Sequence, residues 1–363
     1  FRIDHILGFF RIWQIPIEQE EGIMGYLNPS VPIHIDEFYQ KGIHFDYNRF
    51  CLPYITDSVI WENFGDDANW VKINCIDIID GWILRLKPIC NTQKKVLEMF
   101  NKGLISEKIK WGLFDLISNV LFFEAKNSNG TMFYPRYGMQ TLSTFRHLDF
   151  DAQRKIEELY VDYFYRRQDS FWKYSALKKL PAIKRSTNML VCGEDLGMMA
   201  DCVTSVMNQL GILSLEIQRA PKINTVEFFH PADAKYLSVV TPSTHDMSTI
   251  RGWWEEDKNV TQRFYNQQLG HWGTAPYFAE WWICRDILMQ HLYSPAMWAI
   301  FQWQDLMSIS EDLRRENPHE ERINVPSNSK NSWRYRMHMT VEDLLEQDAF
   351  NKELKNYIVQ AKR

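Results

Sequence analysis

No C-x-x-C pair occurs in this 363-residue chain. Its six cysteines, at 51, 75, 90, 192, 202 and 284, are scattered and lack metal-ligand spacing. Such cysteines read as reduced intracellular thiols, so a disulfide-stapled secreted domain is not expected and a cytoplasmic protein is. No apolar run reaches the roughly 18 residues that a membrane-crossing helix needs, so no membrane partner is expected. There is no G-x-G-x-x-G and no phosphate loop: Gly8, Gly193 and Gly197 stand alone. That argues against a nucleotide-binding crevice. Basic and acidic residues nearly balance, 41 against 46 for a net charge of −5, and no basic stripe forms. Nucleic acid is therefore not an expected partner. His34, His44, His147 and His230 have no partners at metal-ligand spacing, and neither a metal nor a cofactor is expected. Internal repeats and low-complexity tracts are absent as well.

What the chain has in quantity is aromatic surface: 14 Trp, 16 Tyr and 22 Phe. Most should fill a large core. Any exposed in a cleft would suit stacking against sugar rings, which have an apolar face and polar edges. Composition alone does not separate the two uses.

The chain opens on Phe1-Arg-Ile-Asp-His5, where apolar Phe1 and Ile3 alternate with polar Arg2 and Asp4. That period marks a strand end that delivers a carboxylate. From about Gln19 the character changes to a turn-rich entry, then to helical spacing in Gln93–Phe100 and Glu107–Leu121. Residues 19–150 read as a large, mainly helical insertion. Helical periodicity continues from Asp151 to Lys179. Four apolar runs ending in polar residues follow: Asn188–Asp195, Ile212–Arg219, Leu237–Asp246 and Met297–Asp305. A helix over Asp201–Leu210, stopped by Gly211, lies between the first two of these runs. Buried strands alternating with helices predict a parallel sheet with right-handed crossovers. Counting the opening segment, five strands are expected. The last segment, 341–363, reads as a helix with a capping box at Thr340-Val-Glu-Asp343.

On this reading Asp4, Glu194 and Asp246 all fall at strand ends, where barrels and open α/β sheets alike place their chemistry. Two carboxyl groups about 5–5.5 Å apart can perform retaining glycoside chemistry. One attacks the anomeric carbon, and the other protonates the leaving oxygen. Arg2, on the same strand face as Asp4, would stabilise an attacking carboxylate. Asp246 beside His245 could bind sugar hydroxyls. Asp195, next to Glu194, is the better placed of the two to cap a helix. The Trp pairs at 253–254 and 281–282 suit core packing more than sugar stacking.

These residues also carry a resemblance. Arg2-Ile-Asp-His-Ile-Leu-Gly-Phe9, Gly193-Glu-Asp-Leu-Gly197 and Ser243-Thr-His-Asp246 resemble three acidic motifs of the 4-α-glucanotransferases, glycoside hydrolase family 77. Gln304-Asp305 and Arg322-Ile-Asn-Val-Pro326, with Asn331, Trp333 and Arg336, resemble that family's closing segments. The resemblance covers residues 1–18 and roughly 150–340. It implies Asp4 as nucleophile, Glu194 as acid/base and Asp246 as transition-state stabiliser, with Arg2, His5, His245 and Trp253 as substrate-binding groups.

The implied fold is the C-terminal part of a (β/α)8 TIM barrel: a strand end at 1–18, the insertion at 19–150, further strands at 151–340 and the helix at 341–363. The long block between Asp4 and Glu194 resembles the insertion of the family's maltose-metabolising branch. The resemblance further implies a malto-oligosaccharide or glucan substrate, and an N-terminal half-barrel with starch-binding modules outside this sequence. Five strands do not close an eight-stranded barrel. Two alternatives follow: an α-glucan hydrolase, or a glucan-binding fragment that lacks turnover alone.

Overall fold

Parallel pairing of five short segments organises the part of the chain that carries the three acids. The computed structural model describes residues 1–363 except Trp82, Met198, Asn224 and Ser332. The chain divides into two compact units, one comprising Phe1–Ile6 and Pro181–Arg363, the other Leu7–Leu180. Both mix helix and sheet.

In the first unit the strands are Arg2–Ile3, Cys192–Gly193, Ser214–Ile217, Ser238–Thr241 and Trp298–Ala299. The first two pair in parallel, with Ile3 opposite Gly193. A parallel bridge from Cys192 to Leu213 leads to the third. The third pairs with the fourth, and the fourth with the fifth, again in parallel. All five expected strands therefore form, and each lies beside the next in chain order. The regular ladders are shorter than the apolar runs. The fourth strand is buried at every position, its polar Ser238 and Thr241 included.

The helix Asp201–Leu210 buries Cys202, Val203, Val206 and Met207 on one stripe. Gly211 ends it in the left-handed region at φ +60, where a Cβ would be strained. Helix Trp281–Leu292 packs Ile283, Cys284, Ile287 and Leu288 into one cluster with Trp254, Phe264, Met307 and Phe350. Each such side chain gains about 1.5–3 kcal/mol on leaving water. At the C-terminal end Thr340 and Asp343 form the expected capping box. The helix it starts is short, Val341–Leu345, and a second helix, Asp348–Gln360, begins after a break.

His291 on that packed helix is fully buried. Its Nδ1 lies 2.8 Å from the Ile287 carbonyl and donates to it. Burial pulls its pKa from 6.5 down to about 4, so the native state keeps it neutral. Above about pH 6.5 both native and unfolded chains carry it uncharged. As pH falls from there toward 4 the unfolded chain takes up the proton first, and stability is lost. That gap is worth about 3 kcal/mol. His291→Gln is expected to flatten the fall in urea midpoint over this window; an unchanged slope would contradict the assignment.

The second unit packs helices Asp57–Phe64, Ala68–Cys75, Gln93–Asn101 and Glu107–Ser118 around Ile60, Phe64, Val71, Val96 and Leu113. Thr56, Thr92 and Ser106 start three of these by accepting from backbone N–H groups in the first turn. Helix Phe150–Tyr165 buries Ile156, Leu159, Tyr160, Tyr163 and Phe164; the helical periodicity expected from Asp151 to Lys179 is interrupted by a turn at 166–168 before a second helix, Asp169–Arg185. The expectation of a mainly helical segment at 19–150 did not include the small antiparallel sheets found among the described residues, one of which reaches back to the segment 1–18. They pair Ile12–Gln14 with Tyr26–Asn28, Ile76–Ile79 with Ile83–Leu86, and Met132–Pro135 with both Ile33–His34 and Phe122–Glu124. Strands of two to four residues are too short for alternation to reveal. Among the described residues no helix is long and apolar enough to cross a membrane.

Candidate active site

Asp4 and Glu194 each follow directly on a paired strand residue, Ile3 and Gly193, which face each other in the register. Pairing continues into the turn: the Glu194 N–H donates to the Ile3 carbonyl at 2.8 Å, and the Ile6 N–H donates to the Glu194 carbonyl at 2.9 Å. The two acids are thus neighbours at the ends of adjacent parallel strands. The approach is close. A Cβ on Gly193 would lie 2.6 Å from Ile6 Cδ1, so no larger residue fits without displacing Ile6.

Just after Asp4 the chain turns sharply. His5 has φ +46, a left-handed conformation that non-glycine residues seldom adopt. This turn aims the His5 N–H at Glu194 Oε2, 2.8 Å away. The Leu196 N–H donates to Glu194 Oε1 at 3.1 Å. Glu194 is therefore held by two backbone donors and is largely covered, with 13% of its side chain exposed. Asp4 differs: 64% of its side chain is open, and Arg2 Nη2 sits 2.8 Å from its Oδ1. Arg2 thus lies on the same side as Asp4, as the strand period predicts. Ile3 is buried, but Phe1 is 56% exposed, so only one of the two apolar positions of the opening alternation enters the core.

The segment after the fourth strand brings the third acid in. His245 Nε2 lies 3.0 Å from Asp246 Oδ2 and 4.0 Å from Asp4 Oδ1. Asn324 donates through Nδ2 to Asp246 Oδ1 at 2.7 Å, and Asn331 donates to Asn324 Oδ1 at 2.9 Å. The exposed Trp333 ring lies 5.1 Å from the His245 ring, centre to centre. Asp4, His245 and Asp246 each offer a ligand atom within 4.8 Å of the others. A cation there would meet the Arg2 guanidinium already on Asp4, and like charges repel.

Arg2, Asp4, His5, Glu194, His245 and Asp246 thus come together. Trp253 has other neighbours: it packs against Phe228 and Phe264, with the Arg219 guanidinium 4.9 Å from its ring centre. Asp195 caps no helix. It is buried and accepts from the Leu215 N–H at 2.9 Å and from Lys222 Nζ at 2.8 Å, so it ties the second strand's end to the third strand. Sequence reasoning gives Asn324 and Trp333 no role of their own. Their signal is position in the closing segments; their contact with the acids is long-range and has no local pattern. A cavity of about 800 Å³ in the second unit, lined by Arg49, Tyr54, Ile78 and Arg85 among others, contains none of the three acids.

Carboxylates at neighbouring strand ends, one open and salt-bridged, one covered, beside a His–Asp pair, define an α/β protein equipped for acid–base and nucleophilic chemistry. A family model described as 4-alpha-glucanotransferase, glycoside hydrolase family 77, matches residues 1–341, and the chain belongs to that family. The 4-alpha-glucanotransferase DPE2 of Oryza sativa subsp. japonica is 36% identical over 372 residues, an alignment covering 100% of this chain and 39% of that protein. A 4-alpha-glucanotransferase of Chlamydia caviae is 34% identical over 178 residues, covering 48% of this chain and 33% of its own. The chain thus spans about two fifths of the rice relative. Among solved structures, an amylomaltase from Streptococcus agalactiae in complex with acarbose aligns at TM-score 0.38 and 19% identity, over 53% of this chain and 34% of that one.

Proposed function

We propose that this chain carries the catalytic acids of a retaining 4-α-glucanotransferase, which moves α-1,4-linked glucosyl units from maltose or malto-oligosaccharides to glucan acceptors. The observation that carries this reading is the register of Ile3 with Gly193, which makes Asp4 and Glu194 neighbours. Adjacent strands lie about 4.8 Å apart, a spacing compatible with the short carboxyl separation of retaining enzymes.

In the first step an Asp4 oxygen attacks the anomeric carbon, while Glu194 gives its proton to the departing glycosidic oxygen. A glycosyl–Asp4 ester forms, and the shortened donor leaves. In the second step Glu194 takes the proton of an acceptor hydroxyl, whose oxygen attacks the same carbon and releases Asp4. Two inversions preserve the configuration. Arg2, 2.8 Å from Asp4, stabilises the carboxylate both as attacking group and as leaving group. Asp246, oriented by His245 and Asn324, hydrogen-bonds sugar hydroxyls as positive charge develops on the ring. No cofactor enters either step.

The family membership and the relatives' names favour transfer over hydrolysis. We further propose that the five parallel strands belong to an eight-stranded (β/α)8 barrel, and that residues 19–150 are an insertion into it. The remaining strands and any starch-binding modules would come from sequence such as the rice relative has beyond its matched 39%.

Incubating the whole protein with maltose and resolving the sugars by length tests the reading. Glucose together with maltotriose and longer oligomers is expected. Glucose alone would mean that water is the acceptor, and the transferase reading would fall.

A further inference from the structure

We propose that Arg219 is a positioning residue that fixes the His245–Asp246 pair by clamping both ends of the segment carrying it. The inference rests on the reading of Asp246 as a catalytic carboxylate.

Arg219 lies two residues beyond the third strand, Ser214–Ile217. Its guanidinium donates to the Pro242 carbonyl through Nε at 3.2 Å and Nη2 at 3.0 Å. It also donates to Ser243 Oγ at 2.7 Å and to the Ser248 carbonyl at 2.8 Å. These acceptors bracket Thr244-His-Asp-Met247. The bracketed residues have no strand ladder or helix of their own. Their internal bonds are local and long: Asp246 N–H to Thr244 Oγ1 at 3.4 Å, and Met247 N–H to the Thr244 carbonyl at 3.3 Å. A loop so loosely tied to itself needs an external anchor to hold two side chains in one geometry.

Arg219 is itself held. Its guanidinium stands over the Trp253 ring at 4.9 Å, a cation–π contact. The buried Asp305 supplies opposing charge, and in turn accepts the Ile250 N–H at 3.0 Å. Burial lowers the Arg219 pKa only to about 10, so it remains charged at neutral pH. Trp253 thereby acquires a task away from the sugar, as the floor on which the clamp rests. A planar fork reaches several carbonyls at once, and a lysine at this position does not.

The test uses Arg219→Lys and Arg219→Ala in the whole protein, each checked for folding by thermal melting. A misplacement of about 1 Å costs about 10²-fold in rate, and that fall in maltose-transfer kcat is expected. KM should stay within about threefold, because the clamp touches no sugar. Amide hydrogen exchange should rise across 244–247 and stay level across 214–217. In an Asp246→Asn background, Arg219→Ala should lower kcat no further, because Arg219 acts through that carboxylate. Unchanged kcat and exchange in folded Arg219→Lys and Arg219→Ala would overturn the clamp. So would an equal loss in both backgrounds, the mark of a general structural role. If Asp246→Asn kept full turnover, the catalytic reading of Asp246 would fall, while the exchange data would still report whether Arg219 holds the segment.

Discussion

Asp4→Asn is expected to lower maltose transfer by at least about 10³-fold, the scale seen when a covalent nucleophile is removed. The substitution is nearly isosteric and sits on a side chain that is 64% exposed, so folding should be unaffected. What it removes is the negative charge that Arg2 faces at 2.8 Å and the oxygen that would bond the anomeric carbon. Loss of rate alone would not separate nucleophile from mere electrostatic support. A smaller variant with an added anion does. In Asp4→Gly, azide can enter the vacated space and attack an activated donor such as α-maltosyl fluoride. The expected product is the β-configured glycosyl azide, because only one inversion then occurs. Glu194→Gln should behave differently: fluoride leaves without a proton, so this variant should retain much more activity on the fluoride than on maltose. Should Asp4→Asn turn over maltose at the native rate, the assignment of both acids would collapse.

That Asp4 and Glu194 lie at neighbouring strand ends is legible in the sequence itself. Asp4 closes the apolar–polar alternation of residues 1–4, and Glu194 stands at the polar end of the run Asn188–Asp195; the two strands pair in parallel. Arg2 beside Asp4 follows from the two-residue period of a strand, and the stop at Gly211 from the need for a left-handed residue. Other features are hidden for physical reasons. Asn324 reaches Asp246 across 78 positions of chain, and nothing local to either residue announces it. Asp195 reads as a helix cap because it follows a strand and precedes a helix. Instead the half-buried Lys222 pairs with it. Trp253 reads as a substrate-binding group because it is aromatic and lies in a segment shared with the family, yet its neighbours are Phe228, Phe264 and Arg219. Residue type and order single out candidate groups for the chemistry; which groups hold them is decided by contacts distant in sequence.

Among those holding contacts, the pair Arg251–Glu321 is expected to have the largest effect on stability. Arg251 Nη1 lies 2.6 Å from Glu321 Oε1, and both side chains are buried. Burial raises the Glu321 pKa, while the Arg251 charge and the Thr249 hydroxyl, which donates to Oε2 at 3.1 Å, pull it back. Arg251 also donates to the Arg315 carbonyl at 2.7 Å, and Gln304 donates to the Glu321 carbonyl at 2.9 Å. The pair thus joins the helix Ile250–Trp254, which follows the Asp246 segment, to the turn Pro318–Glu321, which leads to Asn324. Glu321→Ala leaves a buried guanidinium without its counter-charge and should cost about 3–5 kcal/mol in urea unfolding. Replacing both partners with apolar residues of similar volume, Arg251→Met with Glu321→Leu, should recover most of that loss, since a buried ion pair repays little more than its own desolvation. The two measurements separate stability from function. The double variant should fold well yet turn over maltose more slowly, because without the pair the turn no longer fixes Asn324 against Asp246. If Glu321→Ala unfolds at the native urea midpoint, the pair is not holding these segments together, and the placement of Asn324 must depend on Asn331 and Arg322, which bond it directly at 2.9 and 3.0 Å.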